Sequence, residues 1–230
     1  SQTVELKDGD TYNLTASIVK KEIGGAQVKM LAYNGMIPGP LLKIPQGAQI
    51  TLNFKNETDV PTTIHSHGIR LDNANDGVPP ITQKEVPPGG SYTYKIKFPD
   101  AGMYWYHPHV REDYAQELGL YGNFLVVPST DYWSPVNREI SLFLDDILIE
   151  DGKIILSNKE ADRTLMGRFG NTMLVNGETN YSLSAKKGEA VRFYVTNAAN
   201  TRPFNFAIGG LKLKRVGADG GAYERDEWVD

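Results

Sequence analysis

No cysteine occurs in the 230-residue chain. That absence excludes disulfides and any centre that needs a thiolate, and it removes cysteine usage as a guide to compartment. Histidine is almost as scarce, with four residues in all. A net charge of −4 and a pI near 5.6 leave no excess of lysine or arginine to neutralise a phosphate backbone, which argues against nucleic acid as a partner. No apolar run reaches membrane-spanning length, so no membrane span is expected. The opening SQTVELKDG lacks the charged-then-apolar pattern of a signal peptide, as in a mature chain whose leader has been removed. Helical signal is confined to two short stretches, REDYAQEL at 111–118 and KEADRTLM at 159–166.

Strand signal, by contrast, is abundant. Ile50, Leu52 and Phe54 alternate with Gln49, Thr51 and Asn53, and Tyr92, Tyr94, Ile96 and Phe98 alternate with Ser91, Thr93, Lys95 and Lys97. That period of two predicts half-buried antiparallel strands. The clusters MIPGP, NANDG and VPPGG supply the turns between them. A chain of this length with 40% hydrophobic residues can bury a substantial core, so the expected fold class is all-β, a sandwich or Greek-key barrel.

The sequence also matches itself. YNGMIPGPLLKIPQGAQITLNFKNETD aligns with VNGETNYSLSAKKGEAVRFYVTNAANT, pairing Asn34-Gly35 with Asn176-Gly177, Gly47 with Gly188 and Asn56 with Asn197. Two similar β domains are therefore expected, 1–128 and 138–230, with 129–137 as linker. Carried forward, the alignment sets His65-Ser66-His67-Gly68 against Phe206-Ala207-Ile208-Gly209. A strand that only packs can be written FAIG there, so the fold itself does not demand histidine.

All four histidines stand in H-x-H pairs, His65 with His67 and His107 with His109. Residues two apart on a strand point to the same face, ~6 to 7 Å apart along the chain. If the two segments lie side by side, four imidazoles converge on a volume that suits one metal or a close cluster. Neutral imidazole favours copper and zinc over magnesium or calcium. Pro108 removes a ladder donor and is tolerated at an edge or bulge. Trp105 shares the parity of His107 and His109, while Tyr104 and Tyr106 point the other way; packing is the expected role of all three.

HSHG, then NDGVP, then PPGGSYTYKIKFPDAGMYWYHPHV and GLYGNFLVV, resembles the first cupredoxin domain of the multicopper oxidases, the laccase and bacterial metallo-oxidase family. The matched motifs span about Tyr33 to Val127. The second copy resembles the ligand-free middle domain of the three-domain members. The resemblance implies tandem cupredoxin-like domains and copper as cofactor. It places His65 on a type 2 copper, His67 and His107 on one copper of a type 3 pair, and His109 on the other. It also implies a catalytic acid that assists protonation, matched by Asp76, whose other reading is a turn residue in Asn75-Asp76-Gly77. The implied reaction reduces O2 to water while a small substrate, a phenol, amine or metal ion, is oxidised.

The chain departs from that pattern in one respect. A blue-copper type 1 site needs two histidines and a cysteine, and neither the family's H-x-x-H-x-H stretch nor its H-C-H stretch occurs here. The four histidines make half of a trinuclear site. The second domain is expected to be incomplete, and the chain reads as an N-terminal fragment whose missing C-terminal domain, or a partner chain, supplies the rest. A non-catalytic copper-binding cupredoxin module is the alternative, and a copper nitrite reductase is disfavoured by the absent cysteine. Five scattered methionines give no Met-rich insert. Export is expected from the family resemblance alone.

Overall fold

The computed structural model describes residues 2–130, 133–156 and 167–229. The first strands are β1 (Thr3–Glu5), β2 (Thr11–Ile23), β3 (Ala26–Tyr33), β4 (Leu41–Pro45), β5 (Gln49–Glu57), β6 (His65–His67), β7 (Ser91–Lys97), β8 (Gly102–His107) and β9 (Gly122–Val127). They form two sheets, one in the order β1-β4-β9-β8-β6 and one in the order β3-β2-β5-β7. The alternation read from the sequence is what closes them into a sandwich. Ile50, Leu52 and Phe54 of β5 pair antiparallel with Ile96, Tyr94 and Tyr92 of β7, and all but the half-buried Tyr92 are lost to solvent. Between the sheets these side chains meet Leu42, Ile44, Tyr106, Phe124 and Val126 in one core. Both sheets also contain parallel pairs, β2 with β5 and β4 with both β1 and β9, so the ladder is mixed.

Among the described residues seven further strands follow: β10 (Arg138–Ile147), β11 (Ile149–Glu150), β12 (Lys153–Ile154), β13 (Thr172–Val175), β14 (Val191–Asn197), β15 (Leu213–Ala218) and β16 (Gly221–Val229). The sheet β13-β10-β14 repeats β3-β2-β5, with the same antiparallel and parallel sides. The matched asparagines explain why. Asn34 and Asn176 both sit at positive φ, 50° and 51°, followed by a left-handed glycine. Asn34 accepts from Thr15 N–H and donates to Asn13 O, and Asn176 does the same with Phe143 N–H and Ser141 O. Asn56 and Asn197 each accept from the N–H two residues on.

Two expectations change. Residues 111–118 form successive turns, not a regular helix, because Arg111 is left-handed and the bonds mix spacings: Leu118 N–H reaches Tyr114 O, but Glu117 N–H reaches Glu112 O. Their burial of Ala115, Gln116, Glu117 and Leu118 outweighs local helical preference. Phe206 to Gly209, set against the β6 segment, has Phe206 and Ile208 half-covered and runs into a turn at Gly209, and it pairs with no strand among the described residues. Strands β15 and β16 bond to each other instead. The helical stretch expected at 159–166 lies outside the described residues. Among those described, no helix is long and apolar enough to cross a membrane.

Candidate metal centre

Strand β6 lies antiparallel to β8, placing His65 opposite His107 and His67 opposite Trp105. Parity turns both β6 imidazoles to one face and sends Ser66, 1% exposed, to the other. The His65 ring centre lies 5.6 Å from His67, 5.3 Å from His107 and 5.3 Å from His109. Ring nitrogens of His65, His67 and His107 all fall within 4.8 Å of one another. His109, just beyond the end of β8 and exposed, stands at the rim of this set.

Backbone oxygens decide which nitrogens face inward. His65 donates from Nδ1 to Asp76 O at 2.7 Å, and His107 donates from Nδ1 to Pro108 O at 2.8 Å. A carbonyl can only accept, so both rings keep Nε2 bare. His107 Nε2 and His67 Nδ1 then face each other at 3.4 Å. Two nitrogens bound ~2.0 to 2.1 Å from one tetrahedral ion would stand ~3.3 Å apart, so this pair fits a shared copper or zinc. Burial, followed by the nearby His65, lowers the His107 pKa to about 3, and burial likewise lowers His67. Both stay neutral at physiological pH, the form that ligates.

The Asp76 turn is built for close approach. Asn73–Asn75 form one 3-10 turn capped by Asp72, Asp76 donates to Asn73 O, and Gly77 follows at φ 74°. A Cβ on Gly77 would lie 1.9 Å from Ile64 O. Besides its carbonyl, Asp76 brings Oδ1 to 3.3 Å from His65 Nδ1, so a residue that closes the turn also lies against the His65 ring. Gly77→Ala should therefore cost about 2 kcal/mol or more in urea denaturation, from left-handed strain plus displacement of the turn. Gly47→Ala, at φ 87° with nothing within 4 Å, should cost only about 1 kcal/mol. Equal losses in the two variants would refute the close-approach account.

A multicopper oxidase family model matches residues 15–131, and a second matches 139–227. The chain belongs to the multicopper oxidase family. A multicopper oxidase, MmcO of Mycobacterium tuberculosis, is 31% identical over 241 residues covering 91% of this chain and 47% of that protein. Copper resistance protein A of Pseudomonas syringae pv. tomato is 27% identical over 265 residues, 96% of this chain and 43% of the relative. The crystal structure of a multi-copper oxidase from Pseudomonas thermotolerans superposes with a TM-score of 0.84 at 32% identity, over 99% of this chain and 56% of that one. This multicopper oxidase chain thus spans about half the length of the relatives it matches. Its all-β, cupredoxin-like architecture is that of its structural neighbours.

Some contacts around the four histidines have little or no signal in the sequence. Glu112 Oε1 lies 3.3 Å from His109 Nδ1, and Thr63 Oγ1 accepts from His109 N–H at 3.2 Å. The i, i+3 spacing of His109 and Glu112 is the one local signal for the first; nothing local marks the second. Trp105 packs, as expected, but partly on the site itself, stacked 4.0 Å from the His107 ring at 22°.

Proposed function

We propose that this chain supplies half of the imidazoles of a trinuclear copper cluster in a laccase-like oxidase. The observation that carries the reading is the 3.4 Å approach of His67 Nδ1 and His107 Nε2, with His65 within reach of both. In this reading His65 serves the type 2 copper, His67 and His107 share one type 3 copper, and His109 serves the other. When bound, these coppers would deliver electrons to dioxygen, giving water, while a phenol, amine or metal ion is oxidised. The chain's own part is orientation. Carbonyls of Asp76 and Pro108 hold protons on the outward Nδ1 atoms, and the Asp76 carboxylate offers a place to hold a proton beside the site. We assign the four imidazoles to a cupredoxin domain at 1–128, joined by 129–137 to a ligand-free one at 138–230. The remaining ligands and the type 1 centre belong, in this proposal, to a further domain or a partner chain, and the protein is an exported one on family likeness.

The lack of cysteine favours a second reading for the chain by itself, a copper-binding module without turnover. Elemental analysis after dialysis and an oxygen electrode separate the two. The copper-loaded chain alone should retain metal, lack strong blue absorbance and consume no oxygen with a phenolic substrate. Oxygen uptake that appears on adding a C-terminal segment with an H-C-H stretch supports the oxidase reading; none with that segment leaves the module. Failure to retain copper would sink both.

A further inference from the structure

The rings of His107 and His67 share a neighbour. Trp105 stacks on His107 at 4.0 Å, and its ring centre is 5.5 Å from His67, its partner across the β6–β8 ladder. The indole thus borders two of the three convergent imidazoles. The bond from His107 Nδ1 to Pro108 O restrains the ring at one point, and the stack restrains its plane.

Trp105 also packs against a second hydrophobic cluster, formed by Tyr121, Phe143 and Ala198. Phe143 belongs to β10 and Ala198 follows β14, so this cluster joins the two halves of the chain. It is pinned by polar contacts: Tyr121 O–H donates to Asp145 at 2.8 Å, and Gln116 Nε2 donates to Ala198 O at 3.0 Å. The second half touches β8 at its other end too, since a Cβ on Gly102 would lie 1.6 Å from Gly220 O and one on Gly220 would lie 3.0 Å from the Tyr104 ring. We infer that Trp105 is a positioning residue through which the second β unit sets the ring planes of His107 and His67. The inference rests on the proposed metal role of these histidines for its consequence, but not for its geometry. Side chains that lock the orientation of ligands commonly govern metal affinity, because a ring already held in place loses less freedom on binding.

Two readouts on the 230-residue chain test it. In the metal-free protein, NMR should find the His107 ring protons shifted upfield by the indole; Phe143→Leu should move them, and Trp228→Ala, an exposed control, should not. In chelator competition with zinc or copper, Trp105→Ala should weaken binding about 10- to 100-fold, with Trp105→Phe recovering most of the loss. Phe143→Leu should weaken it less, and the double variant Trp105→Ala/Phe143→Leu should bind no more weakly than Trp105→Ala alone. Far-UV circular dichroism checks that each variant is folded. Additive losses, or Phe143→Leu leaving both the His107 resonances and the affinity unchanged, would overturn the relay. A wild-type chain that binds neither metal overturns the metal reading instead, and the ring resonances of the metal-free protein still decide the positioning role.

Discussion

Replacing His107 with asparagine should abolish tight copper binding and, in the same variant, remove much of the acid sensitivity of the metal-free fold. Asparagine can keep the donor toward Pro108 O but offers no inward nitrogen and does not titrate. The acid effect has a definite sign. His107 has a folded pKa of about 3, below its ordinary value near 6.5, because burial and the neighbouring His65 disfavour its charged form. The unfolded chain therefore takes up a proton that the folded chain refuses, and stability is lost as pH falls from about 6.5 toward 3. Between pH 7 and pH 4 this group alone should cost roughly 3 kcal/mol. Urea denaturation of both proteins at the two pH values measures it, and dialysis followed by elemental analysis measures copper. Tight copper retention by the variant, or an unchanged acid loss, would count against the corresponding half of the argument.

Truncating Arg168 to methionine should destabilise the chain by about 3 to 5 kcal/mol at neutral pH, since it leaves a buried carboxylate without its cation. Arg168 and Glu117 form an ion pair at 2.6 Å with side chains only 7% and 3% exposed. The guanidinium also donates to Leu156 O at 2.6 Å and Asp113 O at 3.0 Å, tying the 111–119 turns to the second half of the chain. Burial already pushes the Glu117 carboxyl above its ordinary pKa, with Arg168 pulling it back. Without Arg168 the folded state binds the proton more tightly than the unfolded state, so the deficit shrinks as pH falls from 7.5 to 5. The double variant Arg168→Met/Glu117→Leu should recover a substantial part of the loss, because it removes the stranded charge. Urea midpoints at both pH values are the measurement. A single variant no less stable than the double one would show that the pair is not what the site depends on.

How far the sequence reached can be judged residue by residue. The imidazole pairs were legible because their chemistry is local: identity selects the metal class, and a spacing of two selects one strand face. The all-β class was legible from the alternation around Ile50 and Tyr94. The repeat was legible because Asn34, Asn176, Gly35 and Gly177 encode backbone angles that few residues adopt. The helical reading of 111–118 gave way because burial of Ala115 and Leu118, not propensity, shapes that segment.

By itself, then, the sequence determined the imidazoles, their number, the strand face shared by His65 and His67 and the turns between strands, all of which depend on neighbours a few residues apart. Only the tertiary structure decided that His67 presents Nδ1 where His107 presents Nε2, that His109 stands at the rim beside Glu112, and that Trp105 lies between His107 and the cluster of Tyr121, Phe143 and Ala198. Those outcomes hang on the β6–β8 register and on packing between distant segments, and no local pattern specifies how two remote surfaces will meet.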